Sequence, residues 1–405
     1  MEKFTGLIGI FTLLGIAVLL SNNRKKINLR TVFSGLALQF ILAFFILGTS
    51  LGEPIFRALD NAITTLVSFS DAGSTFLFRS YISDTYHPSL ENFAFRILPT
   101  IIFFSSLISV LYHFGIIQKI VKMFAKIFQK TMFISGTESL SISGNIFLGQ
   151  TEAPLMVKPF VDKMTKSELM AVMTGGFATA AGGILAIYVS WLSDIPGIAG
   201  HLLTASVMSA PAALVMAKII YPEVEESNTM GDLNIEIEQT TTNAMEALGN
   251  GATTGLKLAA NIAAMLIAFL SFVAMINYLL LFLGTSMEAI FGFLFKPLAW
   301  TMGVPWSEAG VLGTLMGKKI VLTELIAYGD LQQVLAEGLI SERTAIIASY
   351  ALCGFANFGS IGIQLGGIGA MAPNRRGDLA RLVTKAMIGG ALASWLTATI
   401  AGLLL

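Results

Sequence analysis

The chain has 405 residues, of which 55% are hydrophobic and only 12% are charged, and its formal net charge is zero. Soluble domains carry about 25% charged residues. The composition therefore excludes an ordinary soluble domain and predicts an all-α polytopic membrane protein, while the charge balance gives no support to a nucleic-acid partner.

The cysteine and histidine content argues against redox or metal chemistry. The single cysteine, Cys353, lies in an apolar run and cannot form an intrachain disulfide, so we expect a small buried residue. The three histidines show no ligand-like spacing, which gives little support to a resident metal site. We expect no cofactor.

The first third of the chain is predicted to contain three spans and interfacial helices. The first apolar run, Leu7 to Leu20, is followed rather than preceded by a basic cluster, which indicates a first span, about 4–21, with its N-terminus outside and not a signal peptide. Spans two and three are predicted at about 31–50 and 94–115, and the polar segment between them is predicted to lie along the interface. Ile116–Lys130 has lysines at three- and four-residue steps, which is typical of an amphipathic helix on anionic cytoplasmic headgroups.

Residues 143–160, SGNIFLGQTEAPLMVKPF, have two short apolar arms on either side of a polar centre at Gln150, Thr151 and Glu152. Neither arm has the ~20 apolar residues that a span requires, so we predict a helical hairpin that enters the membrane partway and returns. A backbone break at membrane depth is tolerated only where it is buried in protein or lines a wet cavity. Because an ionisable residue there is a functional-site candidate, we interpret this tip as half of a transport site.

Capping signals and polar segments divide the middle of the chain. Capping boxes at 135–138 and 165–168 are predicted to start the hairpin and span four, about 167–191. Span five is predicted at about 199–220. The acidic stretch 222–246 is predicted to be a flexible, solvated cytoplasmic linker between two halves.

The second half repeats this pattern. Span six, about 252–284, is long enough to require a tilt or a surface extension. Residues 297–331 form a second pair of short arms around a polar centre that includes Glu324. Span seven, about 343–372, contains a glycine-rich stretch that predicts an unwound middle, and span eight is predicted at about 379–404.

The distribution of lysine and arginine gives the orientation. With both termini outside, in the periplasm, the basic clusters fall on the cytoplasmic side. The first hairpin then enters from the cytoplasm and the second from outside, which is the pattern of an inverted repeat. We therefore predict eight transmembrane helices plus two re-entrant hairpins, divided into scaffold spans one to three with interfacial helices (1–133), a first repeat (134–221), the acidic linker (222–249), scaffold span six (250–290) and a second repeat (291–405).

The polar residues at these breaks are expected to converge, and they suit a neutral, hydroxyl-rich ligand. The clusters are Gln150-Thr151-Glu152, Thr179, Glu324, and Asn357 with Ser360. A carboxylate can accept two hydrogen bonds from a vicinal diol, and the amides of glutamine and asparagine both donate and accept, as the edge of a nucleobase requires. An anionic substrate would call for an arginine, and these clusters contain none.

The same residues could instead have purely structural roles, or serve an enzyme or a passive channel. Either glutamate could be satisfied by backbone N–H groups at its turn, and Thr179 and Ser360 could serve helix packing. An intramembrane enzyme could use the two glutamates as acid and base, but no nucleophile–base pair or metal-ligand cluster accompanies them in the sequence. A passive channel would need a continuous polar stripe.

The motifs GNIFLGQTEAP, GVPWSEA, TELIAY and CGFANFGSIGI closely resemble the bacterial concentrative nucleoside transporter family, and the resemblance covers nearly the whole chain. It implies a cation-coupled nucleoside symporter of the bacterial inner membrane. It also implies a homotrimer in which a transport domain moves like an elevator against a scaffold.

The resemblance also implies roles for individual residues. The family's base-contacting motif falls on Gln150, Thr151 and Glu152, and its ribose-contacting residues with the pocket lining fall on Glu324, Asn357, Ser360, Phe355 and Ile184. The family's sodium ligands resemble the side chains of Asn145 and Thr179 and the carbonyls of Leu148 and Ala180.

Two positions depart from the family pattern. Thr323 stands where asparagine is expected, which leaves base or sugar preference open. Thr179 stands where serine is usual but keeps an oxygen ligand, so the resemblance favours sodium. Proton coupling through Glu152 or Glu324 is the alternative.

Overall fold

A computed structural model describes residues 2–49, 52–79, 95, 98–230 and 241–405, and in these residues the chain is all-α, with one isolated β-bridge and no strand. The expected fold class is confirmed at this level. By length and composition, four described segments could each cross a membrane, and one further pair of helices could do so if the bend between them lies within a span: 29–47, 166–191, 198–220 and 373–404, and the pair 99–113 with 116–132.

Among the described residues, the N-terminal third contains five α-helices, with a 3₁₀ turn at Arg24–Lys26: α1 (Glu2–Leu19), α2 (Leu29–Gly48), α3 (Gly52–Phe78), α4 (Leu98–His113) and α5 (Ile116–Met132). The part of the polar segment after span two that the structure describes is thus one long helix, α3. The chain bends by 76° between α4 and α5. One side of α5, which includes Val121 and Phe128, is buried against the protein, while its lysines lie on the other side, so the predicted amphipathic helix is confirmed.

The first hairpin and the helices after it are α6 (Gly136–Asn145), α7 (Glu152–Leu155), α8 (Lys166–Ala178), α9 (Gly182–Trp191) and α10 (Ile198–Ile220), with a 3₁₀ turn at Lys158–Lys163. Both predicted capping boxes are confirmed, because Ser135 and Glu138 exchange side-chain-to-backbone hydrogen bonds of 3.0 and 3.3 Å, and Thr165 and Glu168 do the same. These caps satisfy N–H groups that each helix start would otherwise leave unpaired.

Span four, predicted at about 167–191, is formed by two helices, α8 and α9. It breaks between α8 and α9, where Thr179 adopts an extended conformation (φ −117°, ψ 158°). The break contains two helix formers, Ala180 and Ala181, and is followed by two glycines, Gly182 and Gly183, which weaken the helix locally. The break lies against the second half of the chain, where Gly354 closely approaches Ala178.

The start of the acidic linker is not merely solvated. The backbone N–H of Gly136 donates to the carbonyl of Thr229 at 2.9 Å, and the hydroxyls of Ser227 and Thr229 donate to Glu168 at 2.6 and 3.2 Å. Thr229 is buried. The short polar side chains at the start of the linker therefore connect the base of the first hairpin to α8. The composition of the linker did not predict this role. Residues 231–240 of the predicted linker lie outside the described residues.

The second half contains seven helices: α11 (Ala244–Leu281), α12 (Met287–Thr301), α13 (Ala309–Val321), α14 (Glu324–Ala336), α15 (Glu342–Leu352), α16 (Phe358–Met371) and α17 (Arg376–Leu404), with a 3₁₀ turn at Pro373–Arg375. Helix α11 has 38 residues and is roughly 57 Å long, longer than the span six we predicted. The predicted break in span seven is confirmed between α15 and α16.

The order of elements in α6–α10 recurs in α13–α17. Each set has a helix, a sharp turn, a second helix, a helix pair interrupted by a short unwound segment, and a long final helix. The two sets pack together, since α8 contacts both α10 and α17, and α15 contacts the same two long helices. The unwound segments are therefore held in the interior of the protein.

Candidate functional site

The tip of the first hairpin is bonded to α16 through Gln150. Its Nε2 donates to the hydroxyl of Ser360 at 3.1 Å, and its Oε1 accepts from Nε2 of Gln364 at 3.2 Å. Gln364 also donates to the carbonyl of Met173 on α8, at 3.1 Å. Gln150 is buried, so both ends of its amide are committed to this junction.

Glu324 lies at the tip of the second hairpin, at the start of its second helix, as Glu152 does in the first. It is the first residue of α14, which Thr323 caps by accepting a hydrogen bond from the N–H of Ile326. The Glu324 side chain is only 4% exposed. Its Oε2 accepts from the amide of Asn357 at 2.8 Å, and its Oε1 accepts from the hydroxyl of Tyr188 at 3.1 Å.

Asn357 joins the two hairpins. While its Nδ2 donates to Glu324, its Oδ1 accepts from the N–H of Ser360 at 2.8 Å and caps the start of α16. The residues Gln150, Ser360, Asn357 and Glu324 thus form one hydrogen-bonded chain. Four of the polar residues singled out from the sequence therefore meet in one place, at the breaks between helices.

The two hairpin carboxylates differ in environment. Glu324 is buried, whereas the side chain of Glu152, at the start of α7, is exposed. The Glu152 carboxylate lies over Gly149, where a Cβ atom would have no room. The neighbouring Thr151 packs its methyl group against Gly367 of α16. Contact of Glu152 and Thr151 with a base stays a prediction.

The apolar residues expected to line the pocket lie next to the hydrogen-bonded chain that runs from Gln150 to Glu324. Ile184 is buried in the first turn of α9, one helical turn before Tyr188, whose hydroxyl reaches Glu324. Phe355 is buried in the α15–α16 break, and its carbonyl accepts from the N–H of Asn357 at 2.8 Å. Phe358 is 53% exposed.

The proposed cation ligands surround the end of α6. Both side-chain atoms of Asn145, its last residue, are buried and make no hydrogen bond among the described residues. An unpaired buried amide costs about 1–3 kcal/mol. Its Nδ2 lies beside Gly175, whose carbonyl accepts from the hydroxyl of Thr179 at 3.0 Å. Two oxygen-bearing side chains therefore flank the same turn of α8.

The backbone of the first hairpin also touches the α8–α9 break. The carbonyl of Phe147 accepts from the N–H of Gly182 at 3.2 Å, which brings the neighbouring Leu148 to the edge of the segment that contains Ala180. Both residues are buried. A bound hard cation would prefer such carbonyl, amide and hydroxyl oxygens. The buried, unpaired side-chain amide of Asn145 fits the role of a ligand to such a cation.

Three residues at this junction were missed from the sequence as site members: Tyr188, Lys319 and Gln364. Tyr188 follows Ile184 by four positions, and Gln364 follows Ser360 by four. In a helix, residues four positions apart lie on the same face, so this spacing could have identified both residues. Lys319 is fully buried, and its Nζ donates to the carbonyls of Ala351 and Cys353 and to the hydroxyl of Ser394, at 3.0, 2.8 and 2.9 Å.

The two unwound segments cross backbone to backbone. Gly354 has a φ of +96°, and a Cβ atom there would lie 2.5 Å from the carbonyl carbon and oxygen of Ala178. Only glycine combines this left-handed conformation with so close an approach. Cys353, the preceding residue, is a buried free thiol, as its apolar surroundings predicted.

Family models match most of the chain. The model described as "Na+ dependent nucleoside transporter C-terminus" matches residues 201–402, and the corresponding N-terminus model matches residues 8–81. A third model, described as "Gate: Nucleoside recognition", matches residues 94–194.

Individual relatives match along the full chain. An uncharacterized transporter of Haemophilus influenzae is 42% identical, with all of this chain and 98% of the relative covered, and one of Bacillus subtilis is 40% identical with both fully covered. Sodium/nucleoside cotransporter 1 of Mus musculus is 40% identical, and this chain spans 64% of its length.

Solved structures match equally well. The structure of CNTnw in an inward-facing substrate-bound state has a TM-score of 0.92 at 41% identity, covering all of this chain and 98% of that one. A CNTnw variant in an outward-facing state has a TM-score of 0.91 at 40% identity, with the same coverage. The named relatives are transporters and not enzymes.

Proposed function

The chain belongs to the Na⁺-dependent nucleoside transporter family, and from that premise we propose that it takes up nucleosides across the bacterial inner membrane, coupled to sodium. The observation that carries the proposal is the hydrogen-bonded chain from Gln150 to Glu324, which joins two hairpin tips inside an otherwise apolar helical body. Intramembrane polar groups are expensive and mark substrate pathways.

The substrate assignment follows from the donors and acceptors in this chain. Glu324 offers two acceptor oxygens, and its present partners Asn357 and Tyr188 are neutral donors that a ribose diol could replace or join. Gln150 carries both a donor and an acceptor, as recognition of a base edge requires. Glu152, exposed at the same tip, supplies a second carboxylate.

Sodium coupling is supported by the orphaned amide of Asn145. A cation held by Asn145, Thr179 and the carbonyls of Leu148 and Ala180 would fix the end of α6, five residues before Gln150. Substrate would then bind well only after the ion has ordered the hairpin. Such coupling is a free energy shared between adjacent sites.

The decisive experiment measures uridine and adenosine uptake into proteoliposomes, with sodium and pH gradients imposed separately. Accumulation driven by sodium, with unmodified nucleoside recovered inside, is the expected result. Uptake that follows a pH gradient and ignores sodium would favour proton coupling through Glu152 or Glu324. Equilibration without accumulation would indicate a channel.

We further propose eight spans and two hairpins that enter from opposite sides, with both termini periplasmic and the lysine face of α5 on anionic cytoplasmic lipid. Because the one native cysteine is buried, single cysteines can be introduced at exposed loop positions. Asn22→Cys and Glu225→Cys should react with an impermeant maleimide only from the cytoplasm, and Glu337→Cys only from outside. The reverse pattern would invert the topology.

The elevator motion and the trimer are the remaining parts of the proposal. They are supported by family resemblance, together with the match of CNTnw variants in outward-facing and intermediate states. Helix α10 belongs to the first repeat and α2 to the proposed scaffold. A cross-link between these two helices should therefore arrest uptake while leaving substrate binding intact. A mass measurement in detergent that gives one or two copies would contradict the trimer.

A further inference from the structure

Lys319 is a charged side chain in the middle of the protein whose role the proposed transport site does not explain. It has no exposed surface, and its three ammonium protons have three acceptors: the carbonyls of Ala351 and Cys353, and the hydroxyl of Ser394. An ammonium has three donors and no acceptor, so this set satisfies it completely. Burying a charge is costly unless it is fully hydrogen-bonded in this way.

The position of the ammonium relates two parts of the site. The carbonyls it binds belong to the broken end of α15, where the helix dipole places partial negative charge. It also interacts electrostatically with Glu324, which lies five residues further on, across the turn of the second hairpin. One cation therefore stabilises both the unwound segment that carries Asn357 and the carboxylate to which Asn357 is bonded.

The first repeat has the same arrangement of elements around its proposed sodium site. There the end of α6, the break after α8 and a serine of the long helix α10 come together, with Ser206 donating to the carbonyl of Ile146 at 3.1 Å. In the second repeat the corresponding parts are α13, the break after α15 and Ser394 of α17. Cys353, which binds Lys319, is the C-cap of α15, just as Thr179 is the C-cap of α8.

We propose that Lys319 is a tethered cation whose ammonium permanently fills, in the second repeat, the place that sodium takes in the first. It acts as a positioning residue, since it holds the α15–α16 break so that Asn357 and Glu324 present their polar atoms to substrate. Only the first repeat then exchanges its cation with the solution. This inference rests on the proposed sodium-coupled function.

The test uses the full-length protein in proteoliposomes and the variant Lys319→Ala. Uridine uptake should fall about tenfold or more, since hydrogen bonds to a charged group are lost. Ethylammonium should restore part of it by placing a free ammonium in the vacated space. The sodium dependence should become steeper than in the unmodified protein, because sodium can now occupy both places.

The matched control is the adjacent lysine. Lys318 is partly exposed and paired with Asp330 at 2.6 Å and Glu288 at 3.4 Å, away from the broken helix. Lys318→Ala should leave both uridine uptake and the steepness of its sodium dependence unchanged. Ethylammonium should have no effect on this variant. A response to ethylammonium in this variant would overturn the assignment to Lys319.

Two further variants keep the inference falsifiable. Lys319→Met retains the length of the side chain without its charge, and uptake at the unmodified level would overturn the proposal. If neither Lys319 variant yields folded protein, Ser394→Ala removes one acceptor and leaves the charge in place. This variant should reduce uridine uptake a few-fold and leave the steepness of its sodium dependence unchanged. Uptake equal to that of the unmodified protein would count against the proposal.

The outcomes also separate this inference from the function beneath it. Sodium-independent uptake by the unmodified protein would overturn the coupling proposal itself. Sodium-dependent uptake by the unmodified protein, with a folded Lys319→Ala variant that ethylammonium does not rescue and whose sodium dependence is unchanged, would overturn only the tethered cation.

Discussion

The carboxylate of Glu324 accepts a 2.8 Å hydrogen bond from the side-chain amide of Asn357, and this pair links the second hairpin to the unwound middle of span seven. The other end of the Asn357 amide is fixed by the N–H of Ser360. Asn357 therefore cannot rotate without uncapping α16. The site presents its carboxylate in one orientation before any ligand arrives, which lowers the entropic cost of binding.

Replacing Glu324 should distinguish sugars by their hydroxyl groups. Glu324→Gln should weaken uridine by about 1.5–3 kcal/mol, the value of a hydrogen bond to a charged group, and should affect 2′,3′-dideoxyuridine much less. Competition of each analogue against labelled uridine measures the difference. Glu337→Gln, at the exposed end of α14, is the matched control. Equal losses for both analogues would remove Glu324 from the sugar site.

Removing the hydroxyl of Tyr188 should weaken nucleoside binding through Glu324. Tyr188→Phe deletes the donor to Oε1 but keeps the ring stacked on Tyr328, with centroids 3.9 Å apart. We expect the KM for uridine to rise and binding to weaken by about 1 kcal/mol, because Glu324 keeps its bond to Asn357 but loses the second donor that orients its carboxylate. Tyr328→Phe, whose hydroxyl donates to the carbonyl of Ser349, should change stability but not the preference among sugars.

The hydroxyl of Thr179 offers a test of the ion site that conserves shape. Thr179→Val removes the oxygen and should raise the sodium concentration needed for half-maximal uridine binding by about tenfold, the effect of ~1.4 kcal/mol. Thr179→Ser keeps the oxygen that donates to Gly175 and should behave like the unmodified protein. Calorimetric titrations of uridine at several sodium concentrations measure both variants. Identical sodium dependence in the two would exclude this hydroxyl as a ligand.

The crossing of the two unwound segments predicts a strong asymmetry between two glycines. Gly354→Ala would place a methyl group against Ala178, and its positive φ adds strain, so the yield of folded protein and its melting temperature should fall. Gly362→Ala, inside α16 and open to space, should be neutral or stabilising by up to about 1 kcal/mol. Thermal melts in detergent would compare them, and similar midpoints would contradict the close approach.

Sequence patterns predicted those features whose causes are local. The capping boxes at Ser135 and Thr165 follow from residues three positions apart, and the break in span seven follows from its run of glycines. The convergence of Gln150, Ser360, Asn357 and Glu324 followed from placing polar residues at such breaks, since the membrane interior leaves few other positions for them.

Features with distant causes were not predictable in the same way. The break at Thr179 lies where Gly354 approaches from the other half of the chain, a contact that the sequence does not reveal. The hydroxyls of Ser227 and Thr229 look like those of a solvated loop until their acceptor, Glu168, is known. Lys319 was visible as a polar residue, but its three acceptors come from α15, the break that follows α15, and α17.

The direct contact of Gly354 with Ala178 limits how the protein can move. The residues assigned to the ion lie on one side of this contact and most of those assigned to the sugar lie on the other, with main chain against main chain between them. Opening a cleft between the halves would pull apart packed backbone and expose its carbonyls to lipid, a heavy penalty. In the elevator motion that we propose, both halves shift together, and the contact between Gly354 and Ala178 stays intact throughout the cycle.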